Sequence, residues 1–221
     1  MRQMDVFNKI QEQLKADTTV SGILLMGSVA QGNAMPESDL DIMVLGSKDD
    51  FITEVVDDIL VEYIFTTYEK RFDQLSNNEM EPYHFLNSKI VYDVGGKLRE
   101  LSEIAKNKYN SFKTRMVVKK QLSHWLFSTK IKLLSAINAS NTLQQNFIVS
   151  TNAWKVIEAI WAVNDKPIPP SGSVIKRKSD LTILPSPDWF ERLFSCESTA
   201  KTNTMIGIIE WVLPKLDEHT K

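Results

Sequence analysis

Short alternations of apolar and polar residues fill the first half of the chain and predict a region of mixed helix and strand. Residues 5–15 carry apolar side chains at helical spacing, and residues 23–26 form the unbroken apolar run of a buried strand. Further strands are predicted at residues 39–45, 51–56, 59–66 and 89–92, with a short helix as the alternative for 51–56. The polar stretch at 69–81 is expected to be a helix or an ordered loop.

The pattern changes near Ser111, where strand-like alternation gives way to long helical periodicities. Helices are predicted over residues 116–137, 143–163, 188–194 and 202–213. The sequence therefore predicts an α+β chain with two domains. Residues 1–110 hold the strands, and residues 111–221 are helical.

Three tryptophans lie on the predicted helices of the second half. At helical spacing, Trp125, Trp154 and Trp161 are expected in the core, and stacking on a nucleobase or sugar is the alternative. Lys155 and Glu158 are three positions apart, which favours an ion pair on the helix surface over a phosphate clamp and a base.

The composition of the chain limits which binding partners and which cellular compartment are expected. The 221 residues include 26 Lys and Arg against 28 Asp and Glu, a net charge of -2, so a long nucleic acid is not expected as partner. The single cysteine, Cys196, excludes an internal disulfide framework and fits a reducing compartment. Since no segment is long and apolar enough to span a bilayer, we expect a cytoplasmic protein without a membrane partner.

The most informative stretch joins a glycine turn to a pair of acids. Gly27 and Ser28 follow the apolar run at 23–26, and the sequence Asp39-Leu40-Asp41 opens the next predicted strand. Side chains alternate along a strand, so Asp39 and Asp41 are expected on one face. Like charges held together resist ionisation unless a cation lies between them. The pattern therefore favours divalent metal ions beside a turn that suits phosphate.

This combination resembles the signature of the polymerase-beta-like nucleotidyltransferases, in particular members that modify small molecules. The residues that carry the resemblance are Gly27-Ser28 and Asp39-Leu40-Asp41, with Ala30 and Gly32 at positions that the small-molecule-modifying members favour. It implies a mixed β-sheet domain with flanking helices and a third acid on a neighbouring strand, for which Glu62 is the best candidate. The helical second half resembles, less specifically, the bundle that follows this domain in antibiotic nucleotidyltransferases.

The resemblance also implies a mechanism and its cofactors. Asp39, Asp41 and Glu62 would hold two Mg²⁺ ions, and Glu62 would either complete the second metal site or act as general base. The backbone and hydroxyl groups of Gly27 and Ser28 would bind the phosphates of a nucleoside triphosphate, with ATP as the expected co-substrate.

The function expected on this basis is transfer of a nucleoside monophosphate, AMP in the first instance, to a hydroxyl of a small acceptor such as an aminoglycoside or a lincosamide. Two alternatives remain open. One is a protein-modifying nucleotidyltransferase of toxin–antitoxin type, and the other is a non-catalytic nucleotide-binding protein of the same fold. A homodimer in which one subunit closes the cleft of the other is a further hypothesis.

Several of these residues also have an ordinary structural interpretation. Gly27 could simply end a strand, and Glu62 could be a solvated acid on an edge strand. Asp93, which precedes Val94-Gly95-Gly96, is interpreted as a turn former rather than a ligand. His84 lacks zinc-ligand spacing and is interpreted as structural.

Overall fold

A computed structural model of the chain describes residues 2–195 and 197–217, so the prediction made for Cys196 lies outside the described residues. The chain separates into two compact units, Met1–Ser111 and Phe112–Lys221. The first contains a mixed five-stranded sheet with helices, and the described residues of the second form helices and loops. The predicted α+β class is confirmed.

The sheet of the first unit has the strand order β3-β4-β2-β1-β5. Its strands are β1 Val20–Leu25, β2 Leu40–Gly46, β3 Asp50–Val56, β4 Ile59–Thr66 and β5 Lys89–Asp93. Strands β2 and β4 pair in parallel, while the β1–β2, β1–β5 and β3–β4 pairs are antiparallel. The strand predictions are confirmed within a few residues at each end, and the helical alternative for 51–56 is wrong.

Helices cover the two faces of this sheet, which explains why its central strands are apolar on both sides. The helices of the first unit are α1 Arg2–Ala16, α2 Gly27–Ala30, α3 Tyr68–Asn77, α4 Tyr83–Leu86 and α5 Lys97–Asn110. Residues of α1, such as Phe7, pack with Ile42 and Val61 on one face. Residues of α3, α4 and α5, such as Phe85, pack against Met43 on the other face.

Helix α5 is an element that the periodicity did not predict. It begins just after two glycines in the left-handed region, Gly95 at φ 80° and Gly96 at φ 73°. The Asp93 carboxylate accepts hydrogen bonds from the backbone N–H of Leu98 at 3.0 Å and of Arg99 at 3.1 Å. Asp93 therefore supplies acceptors to the amides of the first turn, which is how a short acidic side chain starts a helix.

The described part of the second unit contains the helices that the periodicity predicted, the last of them longer than predicted, and a short helix that was not predicted. They are α6 Met116–Asn138, α7 Thr142–Val163, α8 Val174–Arg177, α9 Trp189–Ser195 and α10 Ser198–Asp217. The long helices α6, α7 and α10 share one core, in which Trp161 is fully buried. Within the described parts of both units, no helix is long and apolar enough to cross a membrane.

The three tryptophans of the second unit have different environments. Trp161 is in the core as predicted, and Trp154 packs against that core while remaining partly exposed. The core prediction for Trp125 is wrong, because 51% of its surface is exposed. Its indole N–H donates a hydrogen bond to a residue of α7, so the polar atom of the ring is satisfied outside the core.

Candidate active site

A tight turn at the end of β1 places glycine directly against an acidic side chain. Gly27 has φ +64°, a conformation that residues with a Cβ rarely adopt. A Cβ built on Gly27 would lie 2.0 Å from Asp41 Oδ2, so any other residue here would force this carboxylate to move. The backbone also joins the two segments, because Met26 N–H donates to the Asp41 carbonyl at 2.9 Å. The glycine and the acid therefore belong to one site.

The register of the sheet brings the third acid of the predicted triad beside this one. Asp41 on β2 is the direct partner of Glu62 on β4 in the parallel pair. Paired residues on adjacent strands project from the same face, so both acids face the side covered by α3, α4 and α5. Asp39 was predicted inside the strand, but β2 begins at Leu40, and Asp39 lies one residue before it.

The charges of Asp39 and Glu62 act on the carboxyl group of Asp41. The pKa of Asp41 rises from 3.8 to about 6, first because burial disfavours its charged form and then because Asp39 and Glu62 are negative. His84 acts in the opposite direction and lowers the pKa of the same carboxyl. The site therefore concentrates negative charge in a partly buried position, which a cation would relieve.

The serine of the turn has a hydroxyl without an internal partner. Ser28 Oγ is buried and makes no hydrogen bond within the described part of the chain. A buried hydroxyl left in this state is unfavourable, and such atoms often mark a site that a ligand completes. Ser28 lies next to Gly27 in the same turn, so its hydroxyl is available for a phosphate oxygen at the site of the acids.

A second charged network lies on the same side of the sheet and was missed by the sequence analysis. Arg71 donates from Nε to Thr66 Oγ1 at 3.0 Å and from Nη1 to Glu81 Oε1 at 3.0 Å. The other oxygen of Glu81 lies 3.2 Å from His84 Nδ1. Glu81 is 2% exposed, and its two oxygens are thus both occupied. In the local sequence, only the three-residue spacing of Glu81 and His84 indicates this network.

His84 links this network to the acids. Its imidazole is bound by Glu81, and its charge acts on Asp41. The contact with Glu81 fits the interpretation of His84 as structural, whereas the effect on the pKa of Asp41 also connects His84 to the acids. Because α4 packs on the acid-bearing face of the sheet through Phe85, the imidazole is placed on the side where Asp41 and Glu62 project.

The donor set has the chemistry for a hard divalent cation, although the side chains are not gathered into a finished metal site. Carboxylate oxygens and a hydroxyl are the ligands that Mg²⁺ prefers. Across residues 2–195 and 197–217, no group of three or more His, Cys, Asp or Glu is close enough to hold a metal ion. The unrelieved charge around Asp41 and the partnerless Ser28 hydroxyl are the two observations that fit a bound cation and phosphate.

Part of the chain matches a known protein family. Residues 8–92 match the family model described as polymerase beta, nucleotidyltransferase. This range includes Gly27, Ser28, Asp39, Asp41 and Glu62. No curated protein matches the chain.

Among solved structures, the chain is similar to a nucleotidyltransferase-like protein from Exiguobacterium sibiricum. The two are 11% identical, with a TM-score of 0.48, and the match covers 100% of this chain and 78% of that one. The resemblance that the turn and the acids predicted is confirmed by the family match over residues 8–92.

Proposed function

We propose that this protein transfers a nucleoside monophosphate from a nucleoside triphosphate to a hydroxyl group of a small acceptor. The observation that carries the proposal is the arrangement at Asp41. Within a nucleotidyltransferase family domain, its carboxylate lies against Gly27, pairs in register with Glu62 and has a raised pKa. A fold gains no stability from such a cluster of like charges, so a role in binding a cation and phosphate explains it best.

The turn and the acids would have separate tasks in this reaction. Gly27 lets the backbone approach the triphosphate closely, and the Ser28 hydroxyl donates to a phosphate oxygen. Asp39, Asp41 and Glu62 would hold two Mg²⁺ ions. These ions, when bound, supply charge neutralisation at the phosphates and lower the pKa of the attacking hydroxyl.

The bond changes are those of phosphoryl transfer. The acceptor oxygen bonds to the α-phosphorus, the bond from that phosphorus to the β-phosphate bridging oxygen breaks, and pyrophosphate leaves with those electrons. Glu62, which shares the face of Asp41 on the neighbouring strand, would either complete the second metal site or take the proton of the acceptor hydroxyl. The protein contributes mainly positioning and charge, which is where most of the acceleration of such reactions arises.

We propose ATP as the co-substrate and a hydroxylated antibiotic, an aminoglycoside or a lincosamide, as the acceptor class. The test incubates the purified protein with Mg²⁺, ATP labelled at the α-phosphate and a panel of such acceptors. We expect label in one acceptor and release of pyrophosphate. Label that appears in a protein would favour the protein-modifying alternative instead.

Variants separate catalysis from mere nucleotide binding. Asp41→Asn should abolish label transfer, whereas Asp58→Asn, which alters an acid 90% exposed on the β3–β4 turn, should leave it unchanged. Nucleotide binding without transfer to any acceptor would support the non-catalytic alternative. Failure of the protein to bind a nucleotide in the presence of Mg²⁺ would contradict the proposal.

A further inference from the structure

The second unit contains a pocket of its own between α6 and α7. Its cavity volume is about 570 Å³, within the range of small-molecule sites. Val117 and Leu122 give it an apolar wall, and Trp125 lies on the same helix. Lys155 and Glu158 of α7 supply polar groups. A mostly apolar cavity with a few convergent polar groups is the usual form of a ligand site.

The tryptophan in this pocket is held in place although half of it is exposed. Trp125 Nε1 donates to Asn152 Oδ1 at 2.8 Å, and the same oxygen accepts from Thr129 Oγ1 at 3.1 Å. Asn152 is itself fixed, since its Nδ2 donates to the Ile148 carbonyl at 2.8 Å. With its polar edge tied to α7, the indole keeps its orientation while 51% of its surface remains exposed. An aromatic surface fixed in this way binds a ring at little entropic cost.

The polar groups of the pocket lie close to this ring. Lys155 Nζ lies 5.9 Å from the centre of the Trp125 ring and 2.6 Å from Glu158 Oε2. The predicted i, i+3 ion pair is therefore confirmed. The side chains of Lys155 and Glu158 are 37% and 21% exposed, so both remain partly accessible beside the ring. Together they offer donors and acceptors to hydroxyl groups of a ligand.

The charges around the pocket restrict which ligand can bind. Lys120, His124 and Lys155 line it together with one acid, Glu158, which is already paired with Lys155. A compound with several positive charges would meet lysines without a compensating group of acids. The lining thus disfavours a polycation and suits a ligand of low positive charge.

We propose that the α6–α7 pocket binds a hydroxylated ring compound of low positive charge. The apolar face of the ring stacks on Trp125, and its hydroxyl groups bind to Lys155 and Glu158. Sugar rings and nucleosides share this chemistry. The proposal concerns the second unit alone and does not depend on the reaction proposed for the first, because binding at this pocket requires no metal ion and no catalysis.

The test is a titration of the whole ¹⁵N-labelled chain followed through its tryptophan indole N–H resonances in NMR spectra. The chain has five tryptophans, and Trp125→Phe identifies the resonance of Trp125. The probes are lincomycin, adenosine and the polycation kanamycin, each at millimolar concentration without Mg²⁺. We expect lincomycin or adenosine to shift the Trp125 resonance while the resonance of the buried Trp161 stays in place. The arm that responds tells whether the ring comes from an antibiotic sugar or a nucleoside.

Variants then assign the binding to the pocket. Trp125→Ala should weaken binding about tenfold or more through loss of stacking, and Trp125→Phe should retain most of it. Calorimetric titration measures both affinities, because neither variant keeps the Trp125 indole resonance. Phe127→Ala removes an aromatic of the same helix that is 57% exposed, and it should leave binding within about twofold. An unshifted Trp161 resonance in each variant reports that the fold is intact. The proposal would be overturned if neither lincomycin nor adenosine shifts the Trp125 resonance, or if kanamycin binds as well as they do.

Discussion

Two carboxylates on the same side of the sheet have opposite surroundings. Glu81 is almost fully buried, yet Arg71 and His84 occupy both of its oxygens. Asp41 is less buried, and its nearest charged neighbours include two further acids. A buried charge is tolerated in a fold when it is paired, as Glu81 is. Glu81 therefore stabilises the fold through its partners, whereas the unrelieved charge at Asp41 fits the proposed cation site.

The largest loss of stability is expected when the buried carboxylate of Glu81 loses its arginine partner. Arg71→Met leaves Glu81 buried without its cation, and we expect a loss of about 3–5 kcal/mol in the free energy of unfolding. Urea unfolding followed by circular dichroism measures it. The double variant Arg71→Met/Glu81→Gln should recover part of the loss, since no charge then remains buried. A loss of less than about 1 kcal/mol would show that Glu81 does not need its partner.

A smaller but specific effect is expected at the turn. Gly27→Ala introduces a Cβ at φ +64° and 2.0 Å from Asp41 Oδ2, so the side chain of Asp41 must move. We expect a loss of about 2 kcal/mol in stability together with loss of nucleotide binding. Gly32→Ala is the matched control, because Gly32 has φ +73° but open space around its Cβ position. If both variants bind nucleotide equally, the contact between Gly27 and Asp41 is not needed for the site.

Removing the charge of Asp41 should stabilise the fold, whereas removing the arginine partner of Glu81 should destabilise it. Because the pKa of Asp41 is higher in the folded protein than its ordinary value of 3.8, the folded state binds the extra proton between about pH 4 and 6. Its contribution to stability is therefore fully present below pH 4 and is lost as the pH rises through about 6. Asp41→Asn should stabilise the metal-free protein at pH 7.5 by about 1–2 kcal/mol, once solvent screening is counted.

The measurement is urea unfolding of both proteins at pH 4 and pH 7.5. The stabilisation by Asp41→Asn should be present at pH 7.5 and should nearly vanish at pH 4, where the wild-type carboxyl is protonated. Nucleotide binding in the presence of Mg²⁺ should be lost in the variant at both pH values. A variant less stable than the wild type at pH 7.5 would show that Asp41 supports the fold, as Glu81 does.

The smallest effect on stability is expected for Ser28→Ala. The hydroxyl has no hydrogen-bond partner within the described chain, so its removal should change the free energy of unfolding by less than about 1 kcal/mol. We expect nucleotide affinity to fall about tenfold, since the hydroxyl would otherwise donate to a phosphate. Calorimetric titration with ATP and Mg²⁺ measures this. Unchanged affinity would remove Ser28 from the proposed phosphate site.

The sequence predicted those features that depend on local pattern. Gly27 and the acids stand out because a turn and an alternating strand need only short-range information, and the strand of Glu62 is rich in β-branched and aromatic residues. Helix α5 was missed because its start depends on Asp93 reaching two amides across a pair of glycines. The spacing of apolar residues along the chain contains no information about such a helix cap.

Long-range contacts could not be predicted from the same patterns. Arg71 and Glu81 are ten positions apart and meet only because α3 and the loop before α4 pack on the same side of the sheet. Trp125 was placed in the core because large aromatics on helices usually are buried. Its partner Asn152 is 27 residues away, so the alternative could be recognised only in the folded unit.

A paramagnetic ion tests directly whether a divalent cation and a nucleotide bind at Asp39, Asp41 and Glu62. Mn²⁺ and ATP are added to the ¹⁵N-labelled protein, and broadening of backbone resonances is measured. We expect selective broadening at Gly27, Asp41 and Glu62, and its loss in Asp41→Asn. Broadening that is absent there, or that persists equally in the variant, would contradict the account.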